Sequence, residues 1–220
     1  LVAGLCRILL QDGWHVAPFK AQNMSLNSFV TRDGDEMGRA QVVQAEASCL
    51  EPSVDMNPIL LKPEADNSSQ VILRGKPLRT QSALEYYSLK EHLWTVVRES
   101  LERLLDEYEV VVIEGAGSPA EINLRDKDMV NMAVARYCHA PVLLVADIDR
   151  GGALASIVGT LEIIEPEERE LVKAVVINKF RGDISLLTPG LDWLSQRIGI
   201  PVAGVVPYYY DIHIDEEDSV

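Results

Sequence analysis

The chain has 220 residues, 47% of them hydrophobic and 25% charged, the balance of an ordinary globular protein with room for one large α/β domain or two small ones. Its net charge of −14 argues against general nucleic-acid binding, which needs a basic face, and an anionic substrate would need local help from lysine, arginine or a divalent cation. Cys6, Cys49 and Cys138 are scattered and outside metal-ligand spacing, which fits a reducing cytoplasm. No apolar run has the length of a membrane span, and no signal peptide is visible.

In chain order, "LVAGLCRILLQDG" is helical from its first residue, with an apolar stripe of Leu1, Leu5, Ile8 and Leu9 and a stop at Gly13. A helix opening on Leu1 without a cap is expected of an internal fragment. "HVAPFK" (15–20) is a strand that delivers Lys20 to its carboxyl end. The segment "FKAQNMSLNSF" (19–29) reads as a loop dense in hydrogen-bonding groups: Gln22, Asn23, Ser25, Asn27 and Ser28. It suits either a polar ligand or plain solvation. At 34–47 the sequence predicts a helix whose start carries Asp35, Glu36 and Arg39. Glu36 there is either a metal contact or simple helix-start electrostatics. Residues 50–80 read as an irregular excursion with two short strand-like pieces.

A helix is predicted within 81–108, with Leu93, Val97, Leu101, Leu104, Leu105 and Tyr108 on one face. "EVVVIE" (109–114) is a buried strand that ends on Glu114, followed by Gly-Ala-Gly. A carboxylate there suits a hard cation such as magnesium, and Gly115 and Gly117 would let phosphates approach the backbone. A turn or capping carboxylate is the equal alternative. A helix at 128–139 begins at Asp128. The strand "APVLLVAD" (140–147) leads into Asp147, Asp149 and Arg150, then Gly151-Gly152 and a helix at 152–165. Arg150 could grip an oxyanion with two hydrogen bonds, and the glycine amides could meet an anion at the helix start. The bare alternative is an ordinary strand-to-helix turn. "KAVVIN" (173–178) ends on Asn178, which is either a purine-edge contact or a strand-terminating Asn. Arg181 stands where a guanine-selective carboxylate would be, which favours adenine. A helix at 188–198 and the strand "PVAGVVP" (201–207), ending on Pro207, follow. Asp211, Asp215, Glu216, Glu217 and Asp218 then make an acidic tail.

Continuous apolar strands recurring every ~30 residues with helices between them predict an open, doubly wound, mainly parallel α/β sheet. In such sheets ligands bind beyond the carboxyl ends of the strands, where Lys20, Glu114, Asp147, Asn178 and Pro207 lie. His15, His92, His139 and His213 have no metal spacing or nucleophile partner. Tyr208–Tyr210, without basic neighbours in sequence, make a poor base-stacking platform.

"FKAQNMSLNS", "EMGRAQVVQAEA", "DMNPILLKP", "VVIEGAGSPAEINL", "LVADIDRGGA" and "VVINKFRGD" together resemble the synthetase domain of the cobyric acid synthase family, over nearly the whole chain and in order. The wider fold resembles the dethiobiotin synthetase group of P-loop proteins. The resemblance implies ATP- and magnesium-dependent amidation of the b, d, e and g carboxylates of adenosylcobyrinic acid a,c-diamide through an acyl phosphate. Ammonia would come from glutamine in a separate glutaminase domain. It implies a synthetase domain over 1–207 and an acidic linker over 208–220. The first strand, the phosphate-gripping loop and the glutaminase are expected outside these residues, so the chain alone is expected to be inactive.

Carried over by position, the resemblance makes Glu114 and Glu36 metal carboxylates and Lys20 a phosphate-facing catalytic lysine. Asp147, Asp149 and Arg150 become catalytic groups. Gly115, Gly117, Asn178 and Pro207 contact the nucleotide, and Gln22, Asn23, Ser25 and Asn27 the corrinoid. Cobyrinic acid a,c-diamide synthase and a regulatory or partitioning ATPase are the alternatives. The expected partners are the corrinoid and the glutaminase, with no nucleic acid and no membrane, and a homo-oligomer is compatible with the sequence.

Overall fold

The computed structural model describes residues 1–65, 68–82, 89–212 and 214. Part of the predicted 81–108 helix (83–88), His213 and the acidic residues of the tail from Asp215 onward lie outside the described residues. The chain divides into two compact units: Leu1–Gly117 with Met129–Asn131 belong to the first, and Ser118–Asp128 with Met132–His213 to the second.

The first unit opens with α1 (Val2–Gln11), which buries Cys6 and leaves Leu1, Leu5 and Ile8 at 50%, 36% and 55% exposure. The predicted stripe therefore lies largely outside. The helix is apolar nearly all round, so periodicity alone does not select the packed face. β1 (Val16–Lys20) is buried throughout and pairs in parallel with β8 (Val110–Glu114), so that Lys20 stands opposite Glu114. Between them come β2 (Gln22–Met24), β3 (Ser28–Val30), β4 (Glu36–Gly38) and α2 (Arg39–Ala47). The expected loop at 19–29 is thus partly strand. Glu36 lies in β4, which pairs antiparallel with β3, and not on a helix, because α2 begins only at Arg39.

The stretch read as irregular contains β5 (Ile59–Ala65), β6 (Ser68–Leu73) and β7 (Lys76–Ser82). With β2 parallel to β5 and the other pairs antiparallel, they form a four-stranded sheet in the order β2-β5-β6-β7. β6 and β7 meet through Arg74-Gly75, both at positive φ (43° and 76°), and Leu73 pairs with Lys76. That is the backbone of a two-residue I′ hairpin, which favours Asn-Gly. Arg74 occupies the strained place and is held by Glu99 (2.7 Å) on α3 (Lys90–Glu107). A Cβ on Gly75 would lie 2.4 Å from Asp35 Cβ.

The second unit holds α4 (Met132–Tyr137), β9 (Val142–Asp147), α5 (Ala153–Ile163), α6 (Pro166–Arg169), β10 (Val172–Phe180), α7 (Ile184–Ile198) and β11 (Val202–Pro207). Its sheet is parallel, in the order β11-β10-β9, as the continuous apolar runs predicted. Ile157 and Leu161 of α5 and Leu194 and Ile198 of α7 pack with Val172, Val175 and Ile177 of β10. α7 starts four residues before its predicted beginning. Asp183 caps Ser185 N at 2.8 Å, and Pro189 is carried inside the helix. Asp128 accepts from Ala133 N at 2.8 Å but precedes a helix shorter than the predicted 128–139. No helix of the described residues is long and apolar enough to cross a membrane.

Candidate functional site

In the first unit the parallel register sets two charged residues side by side at one sheet edge. Lys20 Nζ lies 3.2 Å from Glu114 Oε1, with side-chain exposures of 6% and 27%. Gln44, nearly buried on α2, donates its Nε2 to Glu114 Oε2. Each carboxylate oxygen thus receives one donor, and Lys20 supplies the countercharge that a half-buried carboxylate needs. The strand backbone beside it is tied down by Asn57, whose Nδ2 donates to Lys20 O at 3.1 Å and to Ile59 O at 3.0 Å.

The loop after Glu114 is organised by Asn131. Its Oδ1 accepts from Ala116 N at 3.0 Å and its Nδ2 donates to Ala116 O at 2.7 Å. Gly115 is required there because a Cβ would come within 2.2 Å of Asn131 Oδ1. The space left by its missing side chain is filled by Asn131. Gly117, at φ 63°, has nothing within 4 Å of where a Cβ would be.

The polar segment after β1 turns largely inward. Asn23 (3% exposed) spends its Oδ1 on Met24 N at 3.0 Å and its Nδ2 on Gln41 Oε1 at 3.1 Å. Ser25 Oγ accepts from Asn27 N at 3.0 Å, and Asn27 O accepts from Arg39 N at 3.1 Å. Gln22 and Asn27 are half-buried. Glu36 Oε1 takes Lys62 Nζ at 2.7 Å and the Ser28 hydroxyl. Burial pushes the Glu36 carboxyl up, but the hydrogen bonds from Lys62 and Ser28 and the Lys62 charge outweigh it and hold the group below its ordinary value.

In the second unit Asp147 and Asn178 are cross-strand partners on β9 and β10. Asp147 Oδ2 pairs with Lys179 Nζ at 3.0 Å, and its Oδ1 accepts from Asp149 N at 2.9 Å. The Lys179 contact is the main reason its carboxyl lies below the usual range. Arg181 donates Nη2 to Asp149 Oδ2 at 3.2 Å and its Nε forms an ion pair with Oδ1 at 3.2 Å. The Arg181 guanidinium lies 3.7 Å over the Tyr208 ring and 5.6 Å from the Tyr210 ring centre. The tyrosines therefore do have a basic neighbour, which their own stretch of sequence did not show. Phe180 and Pro207 are in register at the ends of β10 and β11. Arg150 is exposed, and Gly151 and Gly152 both adopt positive φ before α5.

Gln41, Gln44, Asn57, Lys62 and Asn131 were given no role by sequence reasoning. The first four do lie within the stretches "EMGRAQVVQAEA" and "DMNPILLKP" that carried the resemblance. Among the described residues no group of three or more His, Cys, Asp or Glu could hold a metal ion. Magnesium does not require such a cage: it keeps several waters and takes one or two carboxylates besides nucleotide phosphates. The oxygen-only, anchored Glu114 fits that demand.

The family model of the CobQ/CobB/MinD/ParA nucleotide binding domain matches residues 1–219. The chain is 65% identical over its whole length to a cobyric acid synthase of Desulfitobacterium hafniense (strain Y51), and covers 43% of that protein. Cobyric acid synthases of Pelotomaculum thermopropionicum and Sorangium cellulosum are 61% and 60% identical, with all of this chain and 42% of each relative covered. The chain thus spans less than half the length of the curated relatives it matches. With parallel strands presenting charged residues at their carboxyl ends and a match over nearly every residue, this chain belongs to the CobQ/CobB/MinD/ParA nucleotide binding domain family.

Proposed function

We propose that the chain is the ATP-dependent amidoligase portion of a cobyric acid synthase in cobalamin biosynthesis, spanning 1–207, with 208–220 as an acidic connection to a glutaminase. The observation that carries this reading is the 65% identity to a cobyric acid synthase across the entire chain. The reaction is the amidation of the b, d, e and g carboxylates of adenosylcobyrinic acid a,c-diamide. A free carboxylate is a poor acyl donor because oxide is a poor leaving group. Transfer of the γ-phosphoryl group of ATP to the carboxylate gives an acyl phosphate, and ammonia released from glutamine displaces the phosphate.

Phosphoryl transfer asks for alignment and charge neutralisation more than for covalent chemistry. Glu114 and Glu36 are the carboxylates that would hold a magnesium ion, which would supply charge neutralisation on the phosphates. Lys20, held 3.2 Å from Glu114, brings a positive charge to the same strand edge. Asn178 and Pro207 are the adenine contacts of this reading and Gly117 its phosphate-facing glycine, whereas Gly115, expected to leave room for phosphate, has its open side filled by Asn131 and shapes the turn instead. Gln22, Asn23, Ser25 and Asn27 shape the corrinoid side. Since the Asn23 carboxamide is spent on Met24 and Gln41, Asn23 works by holding that segment against α2. In the second unit Asp147, Asp149 and Arg150 are the catalytic groups of this reading, the two aspartates anchored by Lys179 and Arg181.

In the full-length protein, Glu114→Gln is expected to abolish magnesium-dependent amidation while glutamine hydrolysis stays measurable. Amidation at the wild-type rate would remove Glu114 from the reaction.

A further inference from the structure

Helix α2 turns an unusual face inward: its buried residues are Gln41, Val42, Gln44 and Ala45, so two glutamines stand where a core helix would carry leucine or methionine. Gln41 is fully buried and Gln44 is 7% exposed. Both carry an orphan. Gln41 Nε2 and Gln44 Oε1 are buried with no hydrogen-bond partner among the described residues. Packing and stability alone do not explain a carboxamide there, because a buried unpaired polar atom is destabilising.

Glu114 supplies the reason. An ionised carboxylate accepts only, so the donor end of the Gln44 amide must face Oε2, and its carbonyl is left without a partner. Lys20 holds the other oxygen at 3.2 Å. Two donors from two different elements, β1 and α2, therefore fix the carboxylate plane at the end of β8. Gln41 braces the arrangement from the preceding turn of α2 through its 3.1 Å bond from Asn23.

We infer that Gln44 is a positioning residue that sets the orientation of the Glu114 carboxylate for a nucleotide-bound divalent cation. The inference rests on the reading of Glu114 as that cation's ligand. Hydrogen-bonding partners of metal-binding groups matter nearly as much as the ligands, and their loss typically weakens metal binding about 10–100-fold. Methionine at 44 would fill the same space without a donor and would remove the orphaned carbonyl. It would also take one donor from Glu114, and the two changes offset, so Gln44→Met is expected to melt near wild type while binding the cation more weakly. A packing role would give the reverse.

The test uses the full-length protein with a non-hydrolysable ATP analogue and Mn²⁺, free Mn²⁺ being read by electron paramagnetic resonance and stability by thermal melting without ligand. Gln44→Met should weaken Mn²⁺ binding by about 10–100-fold at an unchanged melting temperature. Glu114→Gln should weaken it further. Wild-type Mn²⁺ affinity in Gln44→Met, with affinity lost in Glu114→Gln, overturns the positioning role and leaves the Glu114 reading standing. Wild-type affinity in Glu114→Gln overturns both. If Gln44→Met does not fold, Gln44→Asn, which carries the donor on a shorter arm, takes its place: weaker Mn²⁺ binding supports the inference, and unchanged binding overturns it.

Discussion

Gly115 and Asn131 show how one absent side chain organises the loop that follows Glu114. The Asn131 carboxamide occupies the place a Cβ would take and closes on both backbone groups of Ala116. Gly115→Ala is expected to cost about 1–3 kcal/mol, because Asn131 must surrender both bonds to make room. Asn131→Ala should cost a similar amount, and the double variant no more than the costlier single one, since the new methyl then enters vacated space. Urea denaturation of the three variants checks this, and additive losses would contradict it. At this scale the sequence revealed which residues terminate strands, such as Lys20 and Glu114, because an apolar run ending on a charge is visible locally. It did not reveal what those residues touch. Gln44 is 70 positions from Glu114, and a glutamine on a helix reads as a surface residue until the fold turns it inward.

Among the elements, the parallel strands β1, β8, β9, β10 and β11 were legible as continuous apolar runs, although only β1 is buried at every position: β8, expected to be buried, is half-buried, and β9 leaves Leu143 and Val145 exposed. The antiparallel strands β5–β7 were not legible. Pro63 interrupts the first, the last is mostly polar, and the turn joining β6 to β7 places Arg where Asn is usual. Helix α3 is tied to the β6–β7 turn through Arg74 and to the 3-10 turn Val54–Met56 that precedes β5 through Asp55. Asp55 receives both Arg103 Nε and Nη2 at 2.9 Å and the Ser100 hydroxyl at 2.6 Å. Burial pushes its carboxyl up, but these bonds and the charges of Arg103 and Arg74 hold it below the ordinary 3.8. A carboxyl lowered by folding adds stability above its unfolded pKa, and that stability is lost as pH falls through the lower folded value. Asp55→Asn should therefore be less stable than wild type at neutral pH, with the gap closing only below pH 3.8. Denaturation midpoints measured from pH 7 down to 2 test this, and a gap that stays constant would contradict it.

On the scale of the whole molecule, the class was readable because strand, helix and strand recur through most of the chain and present distinctive residues at the strand ends. The division into two compact units was not readable, because no change of composition marks the points near 117 and 131 where the chain passes between them. The net charge of −14 leaves cationic help to individual residues, and Lys20, Lys62, Lys179 and Arg181 each stand against a carboxylate in their own unit. The most direct measurement is ATP turnover by the full-length protein in the presence of glutamine, with and without adenosylcobyrinic acid a,c-diamide. Phosphate release that depends on the corrinoid and matches the amide groups formed is the predicted result. Turnover indifferent to the corrinoid, and raised instead by DNA or lipid vesicles, would contradict the account.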